Sequence, residues 1–200
     1  MIKVLLVLGI GYLAGCFQTA YIIGKTKQHI DIRQYGSGNS GTTNALRVMG
    51  LKLGALTFAG DFLKGLITVL AVLLITGQLL LSMVAGLGVI LGHDFPVFLN
   101  FKGGKGIAST LGIAFALDYR MGLLAMGLMI VIIYSTKYVS VASLMLCLCL
   151  PIYFWLFQRP GSAELILMVT IAALGIFQHR ENIMRLAKGQ ENKINFHKKS

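Results

Sequence analysis

Three short polar clusters carry most of the residues able to do chemistry. The first runs Gly36-Ser37-Gly38-Asn39-Ser40-Gly41-Thr42-Thr43-Asn44, with Arg47 three residues on. Its glycines let backbone N–H groups approach an anion closely. Gly38, Asn39, Thr43 and Asn44 are candidate phosphate contacts, Ser37 is a candidate catalytic hydroxyl, and Arg47 adds a planar fork for phosphate or carboxylate. Gly36 to Gly41 is a literal G-x-G-x-x-G, but no strand precedes it, which excludes a dinucleotide-binding βαβ unit. The second cluster joins Gly92-His93-Asp94-Phe95-Pro96 to Phe101-Lys102-Gly103-Gly104-Lys105-Gly106. Gly106, rather than Ser or Thr, follows Lys105, so this is not the common nucleotide P-loop. Three glycines and two lysines ahead of a helix still make a phosphate cradle, because a helix N-terminus favours negative charge. The third cluster is His179-Arg180-Glu181-Asn182-Ile183-Met184-Arg185-Leu186, followed by Lys188 and Glu191. His179 and Asn182 are i, i+3 and share a helix face, with Arg180 and Arg185 near the same level. A basic helix lying on anionic lipid is the competing reading for this last segment, and it suffices for Lys193, Lys198 and Lys199.

Other polar residues read more simply. Asp61 and Lys64 are i, i+3 inside an apolar stretch, where charges are costly and face a polar interior, so they are expected to pair structurally. Ser140 and Ser143 repeat that spacing; they are weak candidates for substrate contact beside a packing or capping role. The three cysteines, Cys16, Cys147 and Cys149, all lie in apolar runs, and Cys-Leu-Cys alone is a poor zinc site. No disulfide framework and no metal are expected.

The elements that position these clusters follow from composition. Of 200 residues, 56% are hydrophobic and 12% charged, and the mean hydropathy is +0.77. A soluble domain carries roughly 25% charged residues. The chain therefore reads as an integral membrane protein with several spans, neither disordered nor a soluble two-domain enzyme. Apolar runs place spans at residues 2–24, 53–76, 79–99, 107–117, 121–135, 139–157 and 165–177, with polar loops at 25–52, 100–106 and 178–200. The run 107–117 covers only about half of a ~30 Å hydrocarbon core, tolerable for a helix surrounded by protein. Leu13-Ala14-Gly15-Cys16 imitates a lipoprotein signal, but apolar residues continue past it, which favours an uncleaved first span.

The net charge is +11. Under this alternation fourteen of the 18 lysines and arginines fall on the side of the three clusters; Lys3, Arg120 and Arg159 fall on the other, and Lys64 within a span. The positive-inside bias makes the first side cytoplasmic and the N-terminus external. The expected fold is all-α: one polytopic membrane bundle over residues 1–200, with about seven transmembrane helices, two of them short, and its active site at the cytoplasmic face.

In order and wording, the clusters resemble the bacterial acyl-phosphate:glycerol-3-phosphate acyltransferases, the PlsY family, over essentially the whole chain. The matching motifs are Gly-Ser-Gly-Asn-x-Gly-x-Thr-Asn-x-x-Arg, Gly-His-x-Phe-Pro-x-Phe with Phe-Lys-Gly-Gly-Lys-Gly, and His-x-x-Asn-Ile-x-Arg-Leu. The resemblance implies acyl transfer from acyl phosphate to the 1-hydroxyl of glycerol 3-phosphate, giving lysophosphatidate and phosphate, without acyl-CoA or acyl carrier protein. It implies essential roles for Ser37 and Arg47, and a phosphate loop of Gly103, Gly104 and Gly106 with Lys105 nearby; Lys102 stays a candidate phosphate contact beside it. It assigns His179 and Asn182 to the third motif and a structural role to Glu191. It further implies residence in the bacterial inner membrane, no cofactor, no nucleic-acid partner, membrane lipid as surroundings, and functional coupling to the enzyme that makes the acyl phosphate.

The residues suit that chemistry on their own terms. No His is followed by Asp five residues later: Gln34 follows His29, Phe98 follows His93 and Met184 follows His179. The acyltransferase dyad of that spacing is absent. An acyl phosphate is an activated anhydride and needs positioning of two phosphates more than base catalysis. For the base, His179, whose unperturbed pKa near 6.5 suits the task, and a substrate phosphate oxygen remain as alternatives.

Overall fold

The structure is a computed structural model that describes residues 1–194; Lys198 and Lys199 lie outside the described residues. Among the described residues it is all-helical, with no strand. The helices are α1 (Ile2–Gly15), α2 (Thr19–Lys27), α3 (Thr42–Thr76), α4 (Leu79–Asp94), α5 (Ile107–Leu117), α6 (Tyr119–Thr136), α7 (Val139–Tyr153), α8 (Ser162–Gln178) and α9 (Arg180–Ala187). Among the described residues, five segments are long and apolar enough to cross a membrane, or six when α8 and α9, bent by 54° at their junction, count as one.

Four boundaries differ from the expectation, each for a physical reason. The first span is broken at residues 16–18, where Gln18 is extended (φ −96°, ψ 92°). The carbonyls that this break frees accept hydrogen bonds from Lys64 Nζ, at 3.2 Å to Gly15 and 2.7 Å to Phe17. Protein, not water, satisfies them, as a break at membrane depth requires. The polar loop 25–52 is helical from Thr42 onward. It meets the apolar part of α3 at a kink on Gly50, whose φ of +82° is accessible mainly to glycine. Residues 121–135 extend to a helix of 18 residues because Asp118 caps it, accepting the Arg120 N–H at 2.9 Å. Only α5, with 11 residues, remains short. The tail is not all loop, since α9 occupies residues 180–187.

Backbone contact through small residues sets the packing. α1 lies against α4 with Gly11, Gly15, Gly88 and Gly92 at the seam; a Cβ on Gly92 would stand 2.0 Å from the Tyr12 carbonyl oxygen. α3 and α5 meet the same way, through Gly65 on the Ser109 carbonyl and Gly112 on the Phe62 carbonyl. Such close approach replaces the hydrophobic drive that lipid cannot supply. The main apolar core joins Met83, Leu111, Met121, Leu146, Phe154 and Met168, so α5 is enclosed by α3, α4 and α6 rather than by lipid.

Candidate active site

The corner that precedes α3 is folded around Asn44. Its amide Nδ2 donates to the carbonyls of Ile32, Tyr35 and Asn39 at 3.2, 3.0 and 3.0 Å, and its Oδ1 accepts the Ser37 N–H at 2.9 Å. Gly36, with φ +61°, leaves room for that side chain. Asn44 is thus the bracket of the loop, and its hydrogen-bonding capacity is spent within the protein. Asn39 Nδ2 reaches Ser37 O and Oγ at 3.4 Å. Arg47 lies one turn beyond Asn44, exposed, with no hydrogen-bond or ion-pair partner among the described residues. The Arg33 fork binds Asp31 at 2.8 Å and the Leu99 carbonyl at 2.9 Å, which ties this corner to the second cluster. The Arg33 hydrogen bonds hold the Asp31 carboxyl below its usual range.

The second cluster packs onto the end of α4. Gly104 N–H donates to the His93 carbonyl at 3.0 Å, and the Gly103 carbonyl accepts from Ser40 N–H at 3.3 Å. Ser40 Oγ in turn donates to Gln18 Oε1 at 2.6 Å, and Gln18 Nε2 donates to the His93 carbonyl at 3.0 Å. Below lies a buried network: Asp61 Oδ1 takes Lys64 Nζ at 3.0 Å and Thr19 Oγ1 at 2.9 Å, and Lys64 Nζ also meets His93 Nδ1 at 2.7 Å. The expected Asp61–Lys64 pairing is therefore present, and it includes a histidine that sequence reasoning left without a role. Gly106 (φ +72°) forms the N-cap of α5.

The third cluster is closed by Glu191. Its Oε1 accepts Asn182 Nδ2 at 2.7 Å and Ser140 Oγ at 3.0 Å, and its Oε2 accepts Arg185 Nε at 2.9 Å. Burial raises its pKa, but the three donors outweigh that and hold the carboxyl below its usual range. Asn182 Oδ1 accepts from Lys105 Nζ, which joins the second and third clusters. Burial, with the nearby Arg185 charge, pushes the Lys105 ammonium down to about 8. His179 Nδ1 lies 2.7 Å from the Gly175 carbonyl, an acceptor, so the neutral ring carries its proton on Nδ1 and leaves Nε2 as an acceptor.

All three clusters line one cavity of about 960 Å³. Of the expected site residues, Ser37, Asn39, Thr43, Asn44, Arg47, Asp61, Lys105, Gly106, Ser140, Ser143, His179, Asn182 and Glu191 are on its wall. Gly38, Lys64, Lys102, Gly103, Gly104 and Arg180 are not. Lys102 is exposed outside, and Arg180 folds back over the Phe177 ring at 4.5 Å. Gly103 and Gly104 press against His93, where a Cβ would stand 2.0 Å from its carbonyl oxygen and 2.1 Å from Nε2 respectively. Ser140 serves Glu191, and Ser143 donates to the Val139 carbonyl at 2.9 Å. The cavity adds Arg185, Glu181 and His93, residues present in the motifs but without an assigned site role. Apolar lining comes from Ala55, Phe58, Leu111, Met129, Ile130 and Ile133 of α3, α5 and α6. The chamber therefore combines cationic, donor-rich residues with apolar ones. Among the described residues no cluster of metal-binding side chains is present.

Comparison with known proteins agrees with this geometry. A family model described as glycerol-3-phosphate acyltransferase matches residues 5–189. The chain is 43% identical over 194 residues to a glycerol-3-phosphate acyltransferase of Alkaliphilus metalliredigens, covering 97% of both chains. It is 44% identical to one from Thermoanaerobacter sp. strain X514, covering 92% of both. Among solved structures it is similar to PlsY, an integral membrane glycerol 3-phosphate acyltransferase. For the glycerol 3-phosphate form the TM-score is 0.90 at 36% identity, covering 96% of both chains. For the lysophosphatidic acid form it is 0.87 at 35% identity, covering 96% of this chain and 95% of that one.

Proposed function

The chain belongs to the glycerol-3-phosphate acyltransferase family, integral membrane acyltransferases of phospholipid biosynthesis, and from that premise we propose that it transfers an acyl group from acyl phosphate to the 1-hydroxyl of glycerol 3-phosphate. The observation that carries the reading is the chamber's lining, which brings cations and hydrogen-bond donors together with apolar side chains. Arg47, Lys105 and Arg185 line the chamber as cations for two phosphates, and its apolar residues from α3 and α6 suit an acyl chain.

The attacking hydroxyl oxygen forms a bond to the acyl carbon, and the bond between that carbon and the bridging oxygen breaks. Phosphate leaves with the electron pair, and the hydroxyl proton ends on a phosphate oxygen. Arg47 and Lys105 hold the phosphates, Ser37 and Asn39 orient them, and Asn182 seats Lys105. Developing charge on the leaving phosphate is met by fixed cations, which is the larger part of the catalysis. Gly106 and the N-terminus of α5 add a partial positive charge beside Lys105. Gly103 and Gly104 act through the turn they build, Asn44 through the loop backbone it brackets, and Ser140 and Glu191 through the side chains they hold. No cofactor or metal enters this scheme. The whole chain forms a single unit in the bacterial inner membrane, with the chamber mouth cytoplasmic, as the concentration of positive charge there supports.

The test is a donor and mutant comparison in detergent. Palmitoyl phosphate with glycerol 3-phosphate should yield lysophosphatidate and phosphate; activity confined to acyl-CoA or acyl carrier protein would exclude the donor assignment. With the substrate phosphate as base, His179→Gln should lower the rate only modestly and Arg47→Ala should abolish it. A His179→Gln protein as inactive as Arg47→Ala, with substrate binding intact, would make His179 the base. Impermeant thiol labelling of single cysteines placed at Lys102 and Lys188 tests the sidedness; modification from opposite faces would exclude a shared cytoplasmic mouth.

A further inference from the structure

His93 has no part in the scheme above, yet it stands where the buried charge network meets the lysine turn. Lys64, paired with Asp61, donates to His93 Nδ1, so the ring carries its proton on Nε2. Lys64 is held in turn by Asp61 and by the Gly15 and Phe17 carbonyls, so rotating the ring would take its buried Nδ1 away from a fixed donor and leave it unmet. On its other side the ring edge abuts Gly104, so closely that a Cβ there would sit 2.1 Å from Nε2. The His93 carbonyl accepts the Gly104 N–H at 3.0 Å and touches Gly103. The next residue is Lys105, and Gly106 then starts α5. Between a fixed ring and a fixed helix the turn has no slack.

We propose that His93 is a positioning residue for Lys105: the Lys64 ammonium locks its imidazole, and ring and carbonyl together hold the 103–104 turn that aims Lys105 into the chamber. This rests on the assignment of Lys105 to a substrate phosphate. The groups facing Lys105 are His179, Arg180, Glu181 and Arg185 from α8 and α9 and Glu191 beyond them, with His93 and Asp94 of α4 behind the turn. The lowered titration of Lys105, near 8, reports that seat: burial, and Arg185 close by.

The experiment is calorimetric binding of glycerol 3-phosphate in detergent at pH 7 and pH 9, for the wild type, Lys105→Ala, His93→Asn and the double variant. His93→Asn keeps an acceptor where Nδ1 stood, so Lys64 and Asp61 retain their partners, and it deletes only the ring edge under Gly104. A displacement of about 1 Å at a positioned group costs on the order of a hundredfold, so His93→Asn should weaken binding by roughly ten- to a hundredfold. In the Lys105→Ala background it should add less than about threefold, because both changes act through one side chain. The wild type should lose about tenfold in affinity between pH 7 and 9 as Lys105 loses its proton. His93→Asn should lose less, because a solvated lysine titrates near 10.4. The dependence on the Lys105 background and the pH response are readouts that general loosening of the fold would not move. Binding by His93→Asn within about threefold of wild type, or equal losses in both backgrounds, would overturn the inference. If His93→Asn does not fold, Gly104→Ala makes the same test with His93 and its network intact, since its Cβ must displace the turn. A wild type that binds no glycerol 3-phosphate, or a Lys105→Ala variant that binds normally, removes the functional reading itself. A weakened Lys105→Ala beside a normal His93→Asn removes only the present inference.

Discussion

Lys64 joins elements that are far apart in sequence, and its removal has a cost that can be worked out group by group. Lys64→Met leaves the Asp61 carboxylate buried with Thr19 Oγ1 as its close donor. Removing one member of a buried pair costs about 3–5 kcal/mol. The same change strips donors from two carbonyls at the break between α1 and α2. Gly15 keeps Gln18 Nε2 at 3.3 Å, whereas Phe17 keeps no side-chain donor. A half-buried carbonyl at a helix break left unmet adds roughly 1–3 kcal/mol. The single variant should therefore lose on the order of 5 kcal/mol. Asp61→Asn combined with Lys64→Met removes both charges, and Thr19 can still donate to the side-chain oxygen at 61. It should recover the charge part and remain about 1–3 kcal/mol below wild type, the part owed to the helix break. Unfolding of the purified protein in detergent, followed by far-ultraviolet circular dichroism, measures all three. A single variant as stable as wild type, or a double variant worse than the single, would show that the network does not hold the break.

Glu191→Gln keeps the shape of the strap but loses the ion pair to Arg185, so it should lower stability by about 1.5–3 kcal/mol. Because the folded carboxyl titrates below its unfolded value of about 4.3, its contribution is complete above that pH and is lost as pH falls through the folded pKa. Melting temperatures of wild type and Glu191→Gln should therefore converge in acid; a gap unchanged down to pH 3 would contradict the assignment. At the α1–α4 seam, Gly92→Ala should cost roughly 1–3 kcal/mol because its Cβ meets backbone. Gly9→Ala, with nothing within 4 Å, should not destabilise, and equal losses at the two positions would exclude the glycine seam.

The sequence-level account was most accurate where the signal is local. Long apolar runs bounded by charge place α4 to α8 and the C-terminal end of α3 closely, because a membrane span must satisfy its own backbone. Of the motif residues read as anion contacts, Asn39, Thr43, Asn44 and Gly106 line one chamber, and Gly38, Lys102, Gly103, Gly104 and Arg180 do not. Less legible were features made by distant partners. Polar content made residues 42–49 resemble loop, although Asn44 there satisfies three carbonyls from the preceding turn and the helix starts at Thr42. The break at residues 16–18 is invisible in an apolar run, since its stabilising donor, Lys64, lies more than forty residues away. Gly103 and Gly104 looked like a phosphate cradle; in the fold their missing side chains make room for His93. Arg185 was visible as a charge, but only the bend of α9 at His179 brings it to the wall.

The central claim is that a hydroxyl of glycerol 3-phosphate attacks the acyl carbon of an acyl phosphate within this chamber. Palmitoyl phosphate carrying ¹⁸O in its carbon–oxygen–phosphorus bridge tests it directly, with purified protein in detergent and mass spectrometry of the products. The account requires one lysophosphatidate per phosphate released, with all of the bridging label in the phosphate. Label retained in free palmitate, or phosphate released without lysophosphatidate, would contradict it.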